Sequence, residues 1–208
     1  MRIIAGEFGG RRLVAPRGLD TRPTSDRVKE ALFNILGPPV PRDGARFRVL
    51  DLFAGSGALG LEAISRCADE AVLVEEERIA LEAIERNVDA VGVKARVRIV
   101  KREVGATITS LGGGGEKFDW IFLDPPYAGG SLDRALRLLS TTPLPAGKVI
   151  AEHDMKNPPD ERYGKLALLD RRRYGTTELS FYAIETGPAE SVSAVSANDP
   201  SPEAGASE

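Results

Sequence analysis

Two clusters in this chain combine residue types and spacing that can do chemistry. The first is Asp51-Leu52-Phe53-Ala54-Gly55-Ser56-Gly57-Ala58-Leu59-Gly60, where Gly55–Gly60 matches G-x-G-x-x-G behind a carboxylate. Glycines allow a tight turn and let a ligand approach the backbone closely. A dinucleotide would set its pyrophosphate on the helix N-terminus after such a loop. Asp51 would repel that group, whereas it suits the ammonium and sulfonium charges of S-adenosylmethionine. Glu75, twenty residues after Gly55, is placed to accept hydrogen bonds from both ribose hydroxyls. Cofactor contacts are therefore expected from Asp51, Phe53, Ala54, Gly55, Ser56, Gly57, Gly60 and Glu75. The glycine pattern alone separates S-adenosylmethionine from NAD poorly, and a turn that binds nothing has the same pattern.

The second cluster is Asp124-Pro125-Pro126-Tyr127, after the apolar stretch Trp120–Leu123. A base amine is a poor nucleophile, because its lone pair is delocalised into the ring. The Asp124 carboxylate and the Pro125 carbonyl can each accept one amine N–H and favour the pyramidal form. Two prolines stiffen the turn, so these acceptors are preorganised. Tyr127 can stack on the base face. Asp124 need not remove a proton in the slow step, since methyl transfer leaves a far more acidic ammonium. A bare D-P-P-Y is equally a proline turn with a capping Asp and a core Tyr. Its position three strands after a glycine loop makes it specific.

These clusters need a scaffold that brings distant segments together. Arg48–Phe53, Ala71–Glu75, Arg96–Lys101, Phe118–Leu123 and Val149–Glu152 read as strands. Ala58–Cys67, Arg78–Val91, Val104–Leu111 and Leu132–Ser140 read as the helices between them. This alternation implies an α/β fold with a parallel sheet covered on both faces. Leu166–Arg172 and Glu178–Ile184 form a final pair about Gly175, too close for a helix and so antiparallel. Upstream, Arg2–Ala5 and Arg11–Val14 flank Gly9-Gly10 as a hairpin. Thr24-Ser25-Asp26 starts a helix over Arg27–Leu36, with Val28, Leu32, Ile35 and Leu36 at helical spacing.

The 208 residues carry 42% hydrophobic and 28% charged side chains, ordinary for one soluble domain. The net charge of -3 hides an asymmetry. Five acids and no Lys or Arg lie from Glu185 onward, leaving 26 acids against 28 bases before it. Residues 1–48 hold ten Lys or Arg against five acids, which suits a polyanion partner. One cysteine, Cys67, excludes an intramolecular disulfide. There is no signal-peptide pattern and no apolar run of about 20 residues. A cytoplasmic protein is expected. Residues 1–40 are read as an N-terminal extension, 41–186 as the methyltransferase domain, and 187–208 as a disordered acidic tail.

The chain resembles the RsmD family, bacterial enzymes that methylate N2 of a guanine in small-subunit ribosomal RNA. The resemblance is carried by MRIIAGEFGGRRL, TRPTSDRVKEALFNIL (Thr21–Leu36), LDLFAGSGALGLEAISR (Leu50–Arg66) and FLDPPY (Phe122–Tyr127). The glycine loop and D-P-P-Y occur in many amino-methyltransferases, whereas the pattern from Arg22 to Asn34 is specific to this family. The resemblance implies a Rossmann-like class I sheet of seven mostly parallel strands with one antiparallel strand, plus an N-terminal hairpin and helix. It implies that Asp51 and the Gly55–Gly60 loop hold methionine, Glu75 the ribose, and Asp124–Tyr127 the target amine. The implied partner is 16S rRNA, including a partly assembled 30S subunit. A monomer is expected. Related enzymes carry Asn or Asp for the adenine after the third strand, where this chain has Glu103, one methylene longer than Asp.

Arg11, Arg12, Arg22, Thr24 and Arg27 are candidates for gripping RNA phosphates. Pairing of these arginines with Asp26 or Glu30 is the plain rival. Arg171-Arg172-Arg173 can extend that surface, although alternation along a strand stops all three facing one way. Asp119 is expected to be a turn or capping residue and Cys67 to be buried packing. His153, the sole histidine, has no Cys or His cluster around it, so no metal site is expected. Glu152 either faces the crevice or caps a strand end. Rival functions are an adenine-N6 methyltransferase, a catalytically silent RNA-binding assembly factor, and a nicotinamide-dependent oxidoreductase.

The tail of residues 187–208 contributes no core in this reading. Its removal is expected to move the thermal midpoint by less than about 2 °C in a melting curve.

Overall fold

The computed structural model describes residues 1–16, 25–40, 45–126 and 130–185. Helix α1 (Asp26–Leu36) precedes a run of alternating elements. These are β1 (Arg48–Asp51), α2 (Ala58–Ser65), β2 (Glu70–Glu75), α3 (Arg78–Val91), β3 (Val97–Lys101), α4 (Val104–Gly113), β4 (Phe118–Leu123), α5 (Ser131–Leu139) and β5 (Pro145–Asp154). Three further strands, β6 (Arg162–Tyr163), β7 (Leu166–Tyr174) and β8 (Thr177–Ile184), complete the fold. All eight strands form one sheet in the order β3-β2-β1-β4-β5-β8-β7-β6. The first five in that order pair in parallel, and β8 runs antiparallel to both β5 and β7.

Strand alternation feeds two cores. Val49, Leu73, Trp120, Phe122 and Ile150 pack on one face with residues of α1, α2 and α3. Leu50, Val72, Val74, Ile121, Leu123, Val149 and Ala151 pack on the other with α4 and α5. Each such side chain taken out of water contributes about 1.5–3 kcal/mol. Near-continuous apolar runs are what a sheet covered on both sides requires.

Helix α1 begins at Ser25, whose Oγ accepts a hydrogen bond from the Val28 N–H at 3.2 Å. It ends at Gly37, where φ is 74°. Its buried face differs from the expected one, since Phe33 is buried and Ile35 stands exposed. The Phe33 ring meets Phe122 at 5.7 Å and Trp120 at 6.0 Å between centroids. The contact seats α1 on the strand that leads into Asp124-Pro125.

Several expectations need correction. Among the described residues the sheet has eight strands rather than seven, because Arg162–Tyr163 folds back on Leu166-Ala167. Two residues give no alternation to detect. Strand β5 starts at Pro145, well before Val149, despite Pro145 and Gly147. A bulge between Phe118 and Trp120 absorbs them, and a side chain at 147 would strike the Asp119 carbonyl. Asp119 lies inside β4, and its carboxylate accepts the Arg48 N–H at 2.9 Å. Cys67 is exposed, not packed, because the chain leaves α2 in a left-handed turn (φ 80°) and Ala68 enters the core instead.

The N-terminal hairpin reduces to one bridge, Arg2 to Arg12. Across it the Ile3 N–H donates to the Arg11 carbonyl at 2.9 Å and the Leu13 N–H to the Met1 carbonyl at 3.1 Å, while other amides point elsewhere. Ile4 and Ala5 donate to the two Glu62 oxygens at 2.7 and 3.1 Å, and Val14 donates to Asn87 Oδ1 at 2.7 Å. Glu62 on α2 is fully buried and also faces Lys29 Nζ at 3.4 Å and Arg66 Nε at 2.8 Å. Lys29 is itself buried, and its ammonium donates to the Arg2 carbonyl. Burial pulls the Lys29 pKa below its ordinary value against the pull of Glu62. Gly6 (φ 85°) lies so close to the Ser65 carbonyl that a side chain there would overlap it.

Glu62→Ala would strand the Lys29 ammonium and two backbone amides in the interior. It is expected to lower the unfolding free energy by about 3–5 kcal/mol, read as a shifted midpoint in urea titration.

Candidate active site

Strands β2, β1, β4 and β5 are parallel neighbours, so their C-terminal ends share one edge. Asp51 closes β1, in register with Leu73 on one side and Phe122 on the other. The carboxylate is 1% exposed. Its Oδ2 accepts the Gly60 N–H at 3.2 Å, and its buried Oδ1 has no hydrogen-bond partner. Burial raises the Asp51 pKa to about 7, with Asp124 and Glu75 adding to the rise against the Gly60 amide. An orphaned, buried carboxylate oxygen beside a glycine loop fits the ammonium of a methionine group.

The loop is fixed from both ends. The Ala54 N–H donates to the Val74 carbonyl at 3.0 Å, and the Gly57 N–H to the Ala54 carbonyl at 2.6 Å. Gly57 holds φ at 77°. A side chain at Gly60 would press into Leu73, so this glycine lets α2 lie against β2. Glu75 accepts the Gly55 N–H at 2.9 Å through one oxygen, and the Glu76 and Glu77 N–H groups at 2.9 Å through the other. Ser56 is buried, with its hydroxyl donating to Met1 Sδ and its carbonyl accepting from Asn87 Nδ2. Asn87 thus ties the loop to the N-terminal segment. Its position on the buried face of α3, where apolar residues are the rule, was the one sequence signal for it.

Asp124 follows β4, in the first turn beyond the edge, and its charge acts on Asp51. Pro125 is buried and Pro126 exposed. Both border a cavity with Ser131 and Asp133 of α5 and with Glu152, His153 and Asp154 of β5. Tyr127, Arg22 and Thr24 lie outside the described residues. A second cavity, between α4 and α5, is bordered by Phe53, Glu76, Glu103, Val104, Gly105 and Arg134. Glu103 caps α4, accepting the Gly105 and Ala106 N–H groups at 2.7 Å, which holds its pKa below the usual value. It therefore has a structural role alongside its place on the cavity wall. Glu76 and Arg134 were not singled out from the sequence.

The arginine candidates divide. Arg11 donates to the Ala90 and Val91 carbonyls at the end of α3, at 3.0 and 3.1 Å. Arg12 and Arg27 are exposed. Arg171 is spent on Ser180 Oγ and the Pro159 carbonyl, while Arg172 and Arg173 face solvent. His153 is buried, bonded through its ring nitrogens to the Asp154 carbonyl and Ser180 Oγ, both at 2.8 Å. Burial lowers its pKa. Among the described residues no group of three His, Cys, Asp or Glu could hold a metal ion. Among them no helix is long and apolar enough to cross a membrane.

A glycine loop after the first strand and an Asp-Pro-Pro segment after its parallel neighbour, on this mixed sheet, mark the Rossmann-like class I methyltransferase architecture. The chain belongs to the family described as conserved hypothetical protein 95, whose model matches residues 1–183. It is 35% identical over 184 residues to the putative rRNA methyltransferase YlbH of Bacillus subtilis strain 168, covering 88% of this chain and 98% of that protein. It is 38% identical over 139 residues to ribosomal RNA small subunit methyltransferase D of Escherichia coli K12, covering 67% of this chain and 66% of that protein. The solved putative methyltransferase yhhF from Escherichia coli superposes with a TM-score of 0.75 at 33% identity, over 89% of this chain and 98% of its own. SMU.776, a putative methyltransferase complexed with SAH, shares the fold (TM-score 0.57, 15% identity, 68% of this chain and 46% of its own). The resemblance to the RsmD family read from the motifs is thereby borne out.

Asp51 holds its proton more tightly folded than unfolded, so its ionisation costs stability increasingly as pH rises from 3.8 to about 7. A cationic ligand needs the ionised form. S-adenosylmethionine affinity is therefore expected to be about tenfold weaker at pH 6 than at pH 8 by calorimetry. Asp51→Asn should bind weakly at both and show no such step.

Proposed function

We propose that this protein transfers a methyl group from S-adenosylmethionine to the N2 amine of a guanine in 16S rRNA of the small ribosomal subunit. The observation that carries the reading is the pairing of Asp51 and Asp124 on adjacent parallel strands at one edge, with one buried Asp51 oxygen unpartnered. The names of the relatives, an rRNA methyltransferase and a small-subunit rRNA methyltransferase, support the substrate class.

Bound S-adenosylmethionine would supply an electrophilic methyl on a sulfonium. Asp51 and the Gly55–Gly60 loop would hold its methionine end, and Glu75 with Glu76 its ribose. Phe53, Glu103 and Val104 would border its adenine in the cavity between α4 and α5. Asp124 and the Pro125 carbonyl would each accept one N–H of the target amine and turn its lone pair toward the methyl. Two prolines restrict the backbone there, so this alignment would need little reorganisation. Asp124, as an acceptor of the amine N–H, would be placed to take the proton released after transfer. Tyr127 would stack on the base. Arg12, Arg22, Thr24 and Arg27 would contact phosphates, with Arg172 and Arg173 extending the surface. A partly assembled 30S subunit is a suitable substrate form, with the protein a cytoplasmic monomer.

Asp124→Ala is expected to lower turnover by at least about a hundredfold while S-adenosylmethionine affinity stays within about twofold. Labelled methyl transfer to small subunits from cells lacking the protein, followed by nucleoside digestion, should yield N2-methylguanosine. Unchanged turnover in the variant, or label in N6-methyladenosine, would defeat the assignment.

A further inference from the structure

Four carboxylates follow one geometric rule along the sheet edge. Leu73, Val49, Phe122 and Ile150 of four neighbouring strands share one core. Two residues beyond each stands an acid, namely Glu75, Asp51, Asp124 and Glu152. Strand alternation puts residues two apart on the same face. Leu123 is in register with Ala151, which sets Asp124 and Glu152 side by side on adjacent strands, about 4.8 Å apart in backbone spacing. The first three acids already have tasks in the proposed function, and Glu152 does not. It is 6% exposed and borders the same cavity as Pro125 and Pro126. Glu152 also has a contact within the protein, but a carboxylate offers about four acceptor positions.

An acceptor next to the amine clamp has a definite chemical meaning. Guanine carries a ring N1–H beside its N2 amine. Adenine and cytosine carry a ring nitrogen acceptor beside theirs. A second carboxylate alongside Asp124 bonds to the first and repels the other two. We propose that Glu152 accepts the N1–H of the target base and so selects guanine, a specificity role that rests on the guanine reading above. A buried acceptor facing a lone pair is left unpaired, which is how sites reject analogues that lack a donor.

The test uses the full-length protein and the smallest RNA or reconstituted particle that it methylates. The target position carries either guanine or 2-aminopurine, which keeps the C2 amine but has an acceptor at N1. The wild-type protein should prefer guanine by at least about a hundredfold in kcat/KM. Glu152→Gln can turn an amide N–H toward that acceptor, so it should narrow the preference at least tenfold with S-adenosylmethionine affinity unchanged. Glu152→Asp keeps the acceptor and should keep the preference at a reduced rate, whereas a purely structural role would make both variants lose it alike. A guanine preference equal in wild type and Glu152→Gln would overturn the role of Glu152 alone. Methyl-adenosine from the wild-type protein would overturn the guanine reading and this role with it.

Discussion

Like charges on neighbouring parallel strands repel, and the crevice edge of this sheet gathers them. Asp51 shows the effect most clearly, since burial and the charges of Glu75 and Asp124 bring its proton affinity close to neutrality. Glu75 spends its oxygens on three backbone amides, those of Gly55, Glu76 and Glu77. Asp51 has one amide for two oxygens. The protein thus holds a small reserve of unfavourable electrostatics at the point where a cationic group would relieve it. The glycine loop, the close approach of α2 to β2 and the rigid proline turn all serve to keep these carboxylates in place.

The N-terminal segment depends on a different carboxylate. Glu62 draws two backbone amides, a lysine and an arginine into the interior between α1 and α2. That arrangement explains why the Ile4 and Ala5 amides turn away from the facing arm while Ile3 and Leu13 bond across it. Amides gain more from a buried anion than from a neutral carbonyl. Through Asn87 and Ser56 the same segment reaches the loop that would wrap the cofactor. The segment and the site are therefore mechanically joined, although nothing in the local sequence pattern around Glu62 distinguishes it from a surface acid on a helix.

The alternating elements could be read because apolar runs and helical spacing report burial directly. Helix α3 and strand β4 came out with their observed bounds, and residue type and spacing singled out Asp51 and Asp124, which the fold sets at one edge of the sheet. What escaped prediction depended on long-range partners. Glu62 and Asn87 are polar residues whose burial is decided by segments dozens of positions away. Strand β5 looked short because Pro145 and Gly147 usually break strands, and only the bulge opposite them makes the pairing possible. Ile35 and Phe33 exchanged roles because apolar spacing defines a stripe, whereas the ring partners on β4 choose which side chain fills it.

The left-handed exit from α2 has a practical corollary. Eight residues of helix, roughly 12 Å, carry the chain from the glycine loop to Cys67 at the other end of the strands. The chain has no second thiol, and this one faces water. A maleimide dye would attach there alone, without engineering, and its anisotropy would report the arrival of a large RNA while leaving the crevice untouched.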